Sequence, residues 1–366
     1  MTIRSSRRNL IDLTGLALSL YLAFVMGFRM PNLWSANYYL PSLQDGFHRR
    51  MVVGTLLYPL GDWRFRYATA AALSIMILCA LLSAILISAW RGDRRQRLLV
   101  CLFLLGPAGG FLFHEIGYLD LLLYLIAIAL IAFTGNGWLS SGLLAGTVFV
   151  HEVAAFAIMP LVIACRFLAD QDLRKAARSA AICTVTVAFY LAVNRTAEDA
   201  VVRTFVRVLA SKADFIPRFD FWKSVYLQDN THNFWVITDM PALICAATLA
   251  LLAGMAAADG QDRRIRALNF VACFGAGIAP LLIGFVGWDT SRWIFLSLCS
   301  SSTLLFCARV RPISYYLAYA LITFFMLLLV PLDYFDGYSP RSRAPRSQVD
   351  FLSRELPREL RQLPSR

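Results

Sequence analysis

Lysine is almost missing from this chain: of 35 basic residues only Lys175, Lys212 and Lys223 are lysine, an arginine bias that fits a GC-rich bacterial genome. Charge of either sign is scarce, at 16% of 366 residues against 58% hydrophobic, and the mean hydropathy is +0.60. That is far more apolar sequence than one soluble core needs, which excludes an ordinary globular enzyme. Cysteine is absent from the polar loops, because all eight cysteines fall in or at the ends of apolar runs. A disulfide-stapled secreted fold and a cysteine zinc site are therefore excluded.

Two nucleotide and metal signatures are also lacking. The glycine-rich "GPAGG" at 106–110 is not followed by the lysine and serine or threonine of a phosphate loop, so a cytoplasmic nucleotide-sugar donor is disfavoured. "HEIGY" and "HEVAA" lack the second histidine, four residues after the first, of a helix-borne zinc protease, and the chain has only four histidines. No cofactor or metal is indicated, although separate hairpins could in principle assemble a divalent site. The net charge of +12 comes from short clusters between apolar runs rather than one continuous face, so no nucleic acid partner is expected.

What is present is a succession of apolar runs from Leu10 to Leu332, many of the ~20 residues a spanning helix needs. They predict an all-α, polytopic transmembrane bundle. Residues 1–335 read as one integral membrane domain with outer loops 31–67 and 195–240, and residues 336–366 as a basic tail. "MTIRSSRRNL" and the apolar residues after it resemble a signal sequence, but the apolar part is too long for a cleavable core and reads as a retained first span.

Arginine-rich short loops stay in the cytoplasm. Arg4, Arg7 and Arg8, "RGDRRQR" at 91–97, Arg166 through Arg178, "DRRIR" at 262–266 and "ARVRP" at 308–312 are the inner candidates. The interval 98–165, divided by "TGNGW" at 134–138, holds either four short segments or two long broken helices. Four is favoured, giving about 11 spans. The arginine-rich tail then falls outside, against the rule, as an interfacial helix or the mark of a miscounted span.

On this map His48, His114, His151 and His232 all fall near the outer face, as do Asp45, Glu115, Asp120, Glu152 and Asp289. His114-Glu115 and His151-Glu152 each end an Ala-Gly-x4-His-Glu pattern, 37 positions apart. Groups of this kind near a bilayer must be paired, protonated or turned toward a polar cavity, so the pairs read either as structural caps or as outer-turn tips converging on one site. In loop 31–67, "QDGFHRRM" sets Asp45 before His48, Arg49 and Arg50, with Asp62, Arg64 and Arg66 further on. Basic residues on an outer loop suit phosphate recognition, or simply headgroup contact. Loop 195–240 mixes Trp222, His232 and Trp235 with other rings and charges, in the manner of a glycan-stacking surface or an interfacial aromatic belt. "GWDTSRW" at 287–293 spaces Asp289 and Arg292 as a helical ion pair or as an arginine aimed into a cavity.

Together these residues resemble a bacterial membrane glycosyltransferase of the GT-C type, or the related Wzy-like and EpsG-like polysaccharide polymerases. The resemblance spans the whole chain in architecture and rests on short motifs. It implies glycosyl transfer from a polyprenyl-phosphate or polyprenyl-diphosphate sugar on the outer face of a bacterial inner membrane, with the N-terminus cytoplasmic. Asp45 would take the base role, with His114, Glu115, Asp120, His151 and Glu152 as further catalytic candidates. His48, Arg49, Arg50 and Arg292 would hold the lipid phosphate, and Trp222, His232, Trp235 and Asp289 the glycan. Membrane lipids and other glycan-assembly proteins would be partners. Asp45 stands alone where that family often pairs two acids, and the arginine-x15-glycine spacing of some polymerases is missing. A secondary transporter is the rival from another class, with acids near the bilayer midplane. A noncatalytic subunit of a glycan-assembly complex is the third.

Overall fold

The computed structural model describes residues 3–47, 49–132, 137–194, 197–226, 240–285, 289–309, 312–329 and 353–354. Among the described residues the chain is helical, with no strand. α1 (Ile3–Gly27) leads to a folded connection made of α2 (Leu33–Ala36), two short 3-10 turns at Asn37–Tyr39 and Leu43–Asp45, α3 (Met51–Leu56) and a 3-10 stretch at Tyr58–Phe65. α4 (Tyr67–Arg91) returns, and α5 (Arg94–Leu105) with α6 (Pro107–His114) goes back as a helix bent by 65°. Gly106 and Pro107 cause that bend, since extended glycine backbone (φ −73, ψ 172) ends α5 and proline is pre-set for the first turn of α6.

α7 (Leu119–Ala132), α8 (Trp138–Val150), α9 (Ala154–Ala157) and α10 (Met159–Asp170) follow. Within the interval 98–165 the helices break at Gly106, at 115–118 and at 151–153 among the described residues. α11 (Leu173–Val193) leads to the amphipathic α12 (Asp199–Ala210) and α13 (Phe219–Val225), after which α14 (Met240–Ala258), α15 (Arg263–Ile278), α16 (Thr290–Cys307) and α17 (Ile313–Leu329) complete the bundle.

By length and composition four helices can cross a membrane: Tyr67–Arg91, Leu173–Val193, Met240–Ala258 and Arg263–Phe285, with the bent α5–α6 pair as a fifth. Shorter apolar helices run at Ile11–Gly27, Leu119–Ala132, Trp138–Val150 and Ile313–Leu328. The protein is membrane-embedded. The tail from 336 lies outside the described residues apart from 353–354, and so do Phe133 and residues 134–136 of the "TGNGW" break.

The bundle has two chemically different ends. At one, Asp12 of α1 accepts from Arg94 Nε (3.2 Å) and Arg97 Nε (3.1 Å) of α5, while Gln96 Nε2 donates to Phe306 O of α16 (3.0 Å). At the other, the Tyr67 hydroxyl donates to Pro31 O (2.6 Å) and Arg29 N to Phe113 O (3.3 Å). Lipid offers no hydrophobic gain between helices, so close approach and hydrogen bonds hold them. At Gly27 a Cβ would collide with the backbone of Gly110, which lets α1 meet α6 directly. Ser297 Oγ donates to Gly277 O (2.7 Å), and Tyr124 Oη donates to Leu296 O (2.7 Å), binding α15 and α7 to α16.

Candidate functional site

The second end gathers most of the residues singled out in the sequence. α6 and α8 both terminate in His-Glu, so His114 and Glu115 occupy one inter-helix turn and His151 and Glu152 another. Asp120 lies in the first turn of α7, Asp289 is the N-cap residue of α16, and Arg292 follows one turn later. Arg50 precedes α3 in the left-handed region (φ 61, ψ 24), a conformation that costs a non-glycine residue roughly 1–2 kcal/mol. Such strain is held where the surroundings over-determine it.

Arg292 is the centre. Its Nε donates to Asp120 Oδ2 at 2.5 Å and its Nη2 to Asp120 Oδ1 at 3.0 Å, a bidentate fork between a 5%-exposed arginine and a fully buried aspartate. Nη2 also lies 3.0 Å from His151 Nε2, and Nη1 is 3.9 Å from Asp289 Oδ2. A guanidinium has no acceptor, so His151 Nε2 accepts and the imidazole proton resides on Nδ1. That nitrogen faces Glu152 Oε2 at 3.2 Å, with the Val153 N–H at the longer distance of 3.3 Å. Glu152 in turn is gripped by Arg50, with Nε 3.2 Å from Oε1 and 3.1 Å from Oε2 and Nη2 in close contact, while Arg49 Nη1 approaches Oε1 only to 3.9 Å.

A second branch joins Glu115 to His114 Nδ1 (3.3 Å) and Arg29 Nη2 (3.7 Å), and Arg29 Nε also donates to His114 O. Two tyrosines connect the branches. Tyr38 lies under the Arg50 guanidinium (5.2 Å) and beside the His151 ring (5.7 Å), and Tyr118 packs on Tyr38 (5.5 Å) and under Arg292 (5.1 Å). Four arginines thus stand against four carboxylates.

Environment separates the acids. Burial would push the Glu152 carboxyl up, but the Arg50 charge and the hydrogen bonds from Arg50 and His151 outweigh it and hold it well below the ordinary range. Burial dominates at Asp289, raising it to about 7 despite Arg292, and at Glu115, raising it to about 8 despite Arg29. Glu115 Oε2 and Asp289 Oδ1 are buried without a hydrogen-bond partner among the described residues, as is Arg49 Nε. No group of three or more His, Cys, Asp or Glu side chains among the described residues is placed to hold a metal ion.

Not every candidate joins this network. Asp45 is half-buried and closes a capping box, accepting from Ser42 Oγ (2.7 Å) and Ser42 N (3.2 Å). Its turn lies alongside the end of α8, where Phe47 meets Phe149 (6.1 Å). Trp222 is fully buried, its Nε1 donating to Asn37 Oδ1 (3.2 Å), so its ring is committed to the core and not available to a sugar. His48, His232 and Trp235 lie outside the described residues. Arg29, Tyr38 and Tyr118 are participants that no sequence motif marks. Arg29 does carry a usable signal, as a basic residue directly after the apolar run of α1 in "GFRMPN". No family model matches this chain, and neither a curated protein nor a solved structure does.

Proposed function

We propose that the chain is a GT-C-like membrane glycosyltransferase or polysaccharide polymerase that acts on the outer face of a bacterial inner membrane, taking its sugar from a polyprenyl phosphate or diphosphate. The observation that carries the reading is Arg49: its buried Nε has no hydrogen-bond partner among the described residues, and it meets Glu152 only at 3.9 Å. Glu152 beside it keeps about 24% of its side chain exposed. A phosphate docking on Arg49 would stand next to a carboxylate that is ionised and backed by His151.

In this scheme Glu152 takes the proton of the acceptor hydroxyl as the new C1–O bond forms. The old C1–O bond to phosphate breaks, and the electron pair leaves on the phosphate, stabilised by Arg49 and Arg50. Asp45, on the neighbouring rim, is the alternative base. Arg292, Asp120 and Asp289 hold His151 and the helix ends in place.

Depth in the membrane separates an enzyme from a secondary transporter, because the enzyme needs these acids near the outer face and a transporter near the midplane. The accompanying topology has eleven spans, one each for α1, α4, α5–α6, α7, α8, α9–α10, α11, α14, α15, α16 and α17, with the arginine-rich end inside. α7 and α8, of 14 and 13 residues, extend about 20 Å against a hydrocarbon core of ~30 Å, which recesses the polar turns beneath the outer surface.

The test replaces Asp45, Arg49, His151, Glu152 and Arg292 singly in cells that carry the protein and follows lipid-linked glycan. Accumulated lipid-linked precursor with the protein still in the membrane supports transfer. Unchanged glycan in all five variants overturns it, and leaves the noncatalytic subunit as the better reading.

A further inference from the structure

Arg64 closes the 3-10 stretch Tyr58–Phe65, outside the network of the candidate site. It is only 6% exposed, and its Nη1 is buried without a hydrogen-bond partner among the described residues. No carboxylate of the described residues forms an ion pair with it, whereas Arg29, Arg49, Arg50 and Arg292 each have one. Its guanidinium instead lies over the rings of Tyr58 (5.0 Å) and Phe65 (4.4 Å). A ring face offsets only part of what a buried cation loses on leaving water, so this geometry calls for an anion. A second cation is already there: the ammonium of the exposed Lys212 is 5.6 Å from the same Phe65 ring. The acid two residues after Lys212 does not serve Arg64, since Asp214 Oδ1 accepts from the Tyr67 N–H at 2.7 Å.

The surroundings say what kind of anion arrives. Leu56 and Trp63 are 73% and 60% exposed, and Tyr58 and Leu60 are nearly half exposed, immediately ahead of the membrane-crossing α4. Apolar and aromatic side chains at the mouth of a span belong to the layer where acyl chains meet headgroups. We infer that Arg64 and Lys212 form a binding site for the phosphate of an anionic phospholipid, whose acyl chains lie on the apolar residues of 56–63. The site is independent of the glycosyl-transfer reading and needs only that the chain be membrane-embedded.

The experiment uses the full-length protein in detergent. Wild type, Arg64→Gln and Lys212→Gln are titrated separately with phosphatidylglycerol, phosphatidylcholine and inorganic phosphate, following the melting temperature and, by native mass spectrometry, the lipid retained. Phosphatidylglycerol is expected to bind wild type more tightly than phosphatidylcholine, and each substitution to weaken it about fivefold, the effect of one basic residue near an anionic headgroup. Inorganic phosphate is expected to leave the melting temperature unchanged. Equal response of wild type and Lys212→Gln to phosphatidylglycerol overturns the site, and because Lys212 is exposed this variant keeps the test valid even if Arg64→Gln fails to fold. A shift produced by inorganic phosphate and lost in the variants overturns the lipid assignment in favour of a soluble phosphate.

Discussion

Arg292 and Asp120, 172 positions apart, meet in a two-point ion pair at 2.5 and 3.0 Å with both side chains buried. The same guanidinium reaches His151 at 3.0 Å, so one side chain fixes the ends of α16, α7 and α8 relative to one another. That gives the cluster a rigid floor, and it leaves Glu152, with 24% of its side chain exposed, as the member open to a ligand, beside the buried Arg49 whose Nε has no hydrogen-bond partner among the described residues.

Arg292→Leu leaves the Asp120 carboxylate buried without its cation and should cost about 3–5 kcal/mol. Arg292→Lys should recover little, because a single ammonium cannot reproduce a two-point fork. The double variant Arg292→Leu with Asp120→Leu removes both charges and should regain most of the lost stability while abolishing function. Thermal unfolding read by a thiol-reactive dye on the buried Cys165, Cys183, Cys273 and Cys299 measures this directly. A double variant no more stable than the single one would show that the pair is not what holds these helix ends.

Asp289 and Glu115 give the fold a pH dependence of defined sign. Both carboxyls are raised by burial, to about 7 and about 8, so the folded chain retains protons that the unfolded chain releases near its ordinary values of 3.8 and 4.5. Their contribution is present in full at low pH and is lost as pH rises to between 7 and 8. Asp289→Asn should therefore flatten the fall in melting temperature between about pH 4 and 7. An identical slope in wild type and variant would mean that Asp289 is ionised throughout.

Much of this arrangement is legible in the amino-acid sequence, because it follows from hydropathy. Apolar runs become helices, and the His-Glu pairs fall at helix ends since a polar dipeptide between apolar runs ends a buried segment more cheaply than it spans one. The spacing of Asp289 and Arg292 likewise suits an N-cap residue followed by a cation one turn into a helix. The partners across the bundle are not legible in this way. Nothing local to Arg292 names Asp120, and Tyr38 and Tyr118 look ordinary until the turns after α2 and α6 are placed together. Trp222 misleads for the opposite reason: its ring sits among charged neighbours in sequence, yet the amphipathic α12 covers it, with Phe205 edge-on at 5.0 Å.

That burial makes Trp222 a stability residue. Trp222→Ala should cost about 3–5 kcal/mol through the cavity it leaves. Trp222→Phe should cost less, losing mainly the hydrogen bond to Asn37 Oδ1. Melting curves distinguish this from a sugar-stacking role, in which Trp222→Ala would reduce glycan transfer at an unchanged melting temperature.

The two ends of the bundle should label from opposite sides of the membrane. Single cysteines at the exposed Gln171 and Gln261 mark the arginine-rich end, and cysteines at the exposed Gln44 and Lys212 mark the cluster end. With an impermeant maleimide on intact spheroplasts, in a background lacking the native cysteines, Gln44→Cys and Lys212→Cys should react and the other two should react only after lysis. Labelling of Gln44→Cys and Gln171→Cys from the same side would break the up-and-down order of the helices.

Arg49 and Arg50 are neighbours whose substitutions should differ in their effect on stability. Arg50 grips Glu152 in close bidentate contact, so Arg50→Gln strips a buried carboxylate of its main partner and should lower both stability and function. Arg49 stands 3.9 Å from the same carboxylate, and its buried Nε has no hydrogen-bond partner among the described residues, so Arg49→Gln breaks no short ion pair, relieves a poorly compensated buried cation and should leave the stability within about 1 kcal/mol of wild type. If Arg49 carries the leaving phosphate, that same variant should slow glycan transfer by about 10²-fold, the usual effect of removing one donor aimed at developing charge. Arg49→Lys should restore part of the rate, since a point charge still attracts phosphate, whereas Arg50→Lys should not restore the fork on Glu152. Glycan turnover in membranes containing matched amounts of each protein reads the difference. Wild-type turnover in Arg49→Gln would remove the phosphate role from Arg49 and with it the observation on which the transfer reaction rests.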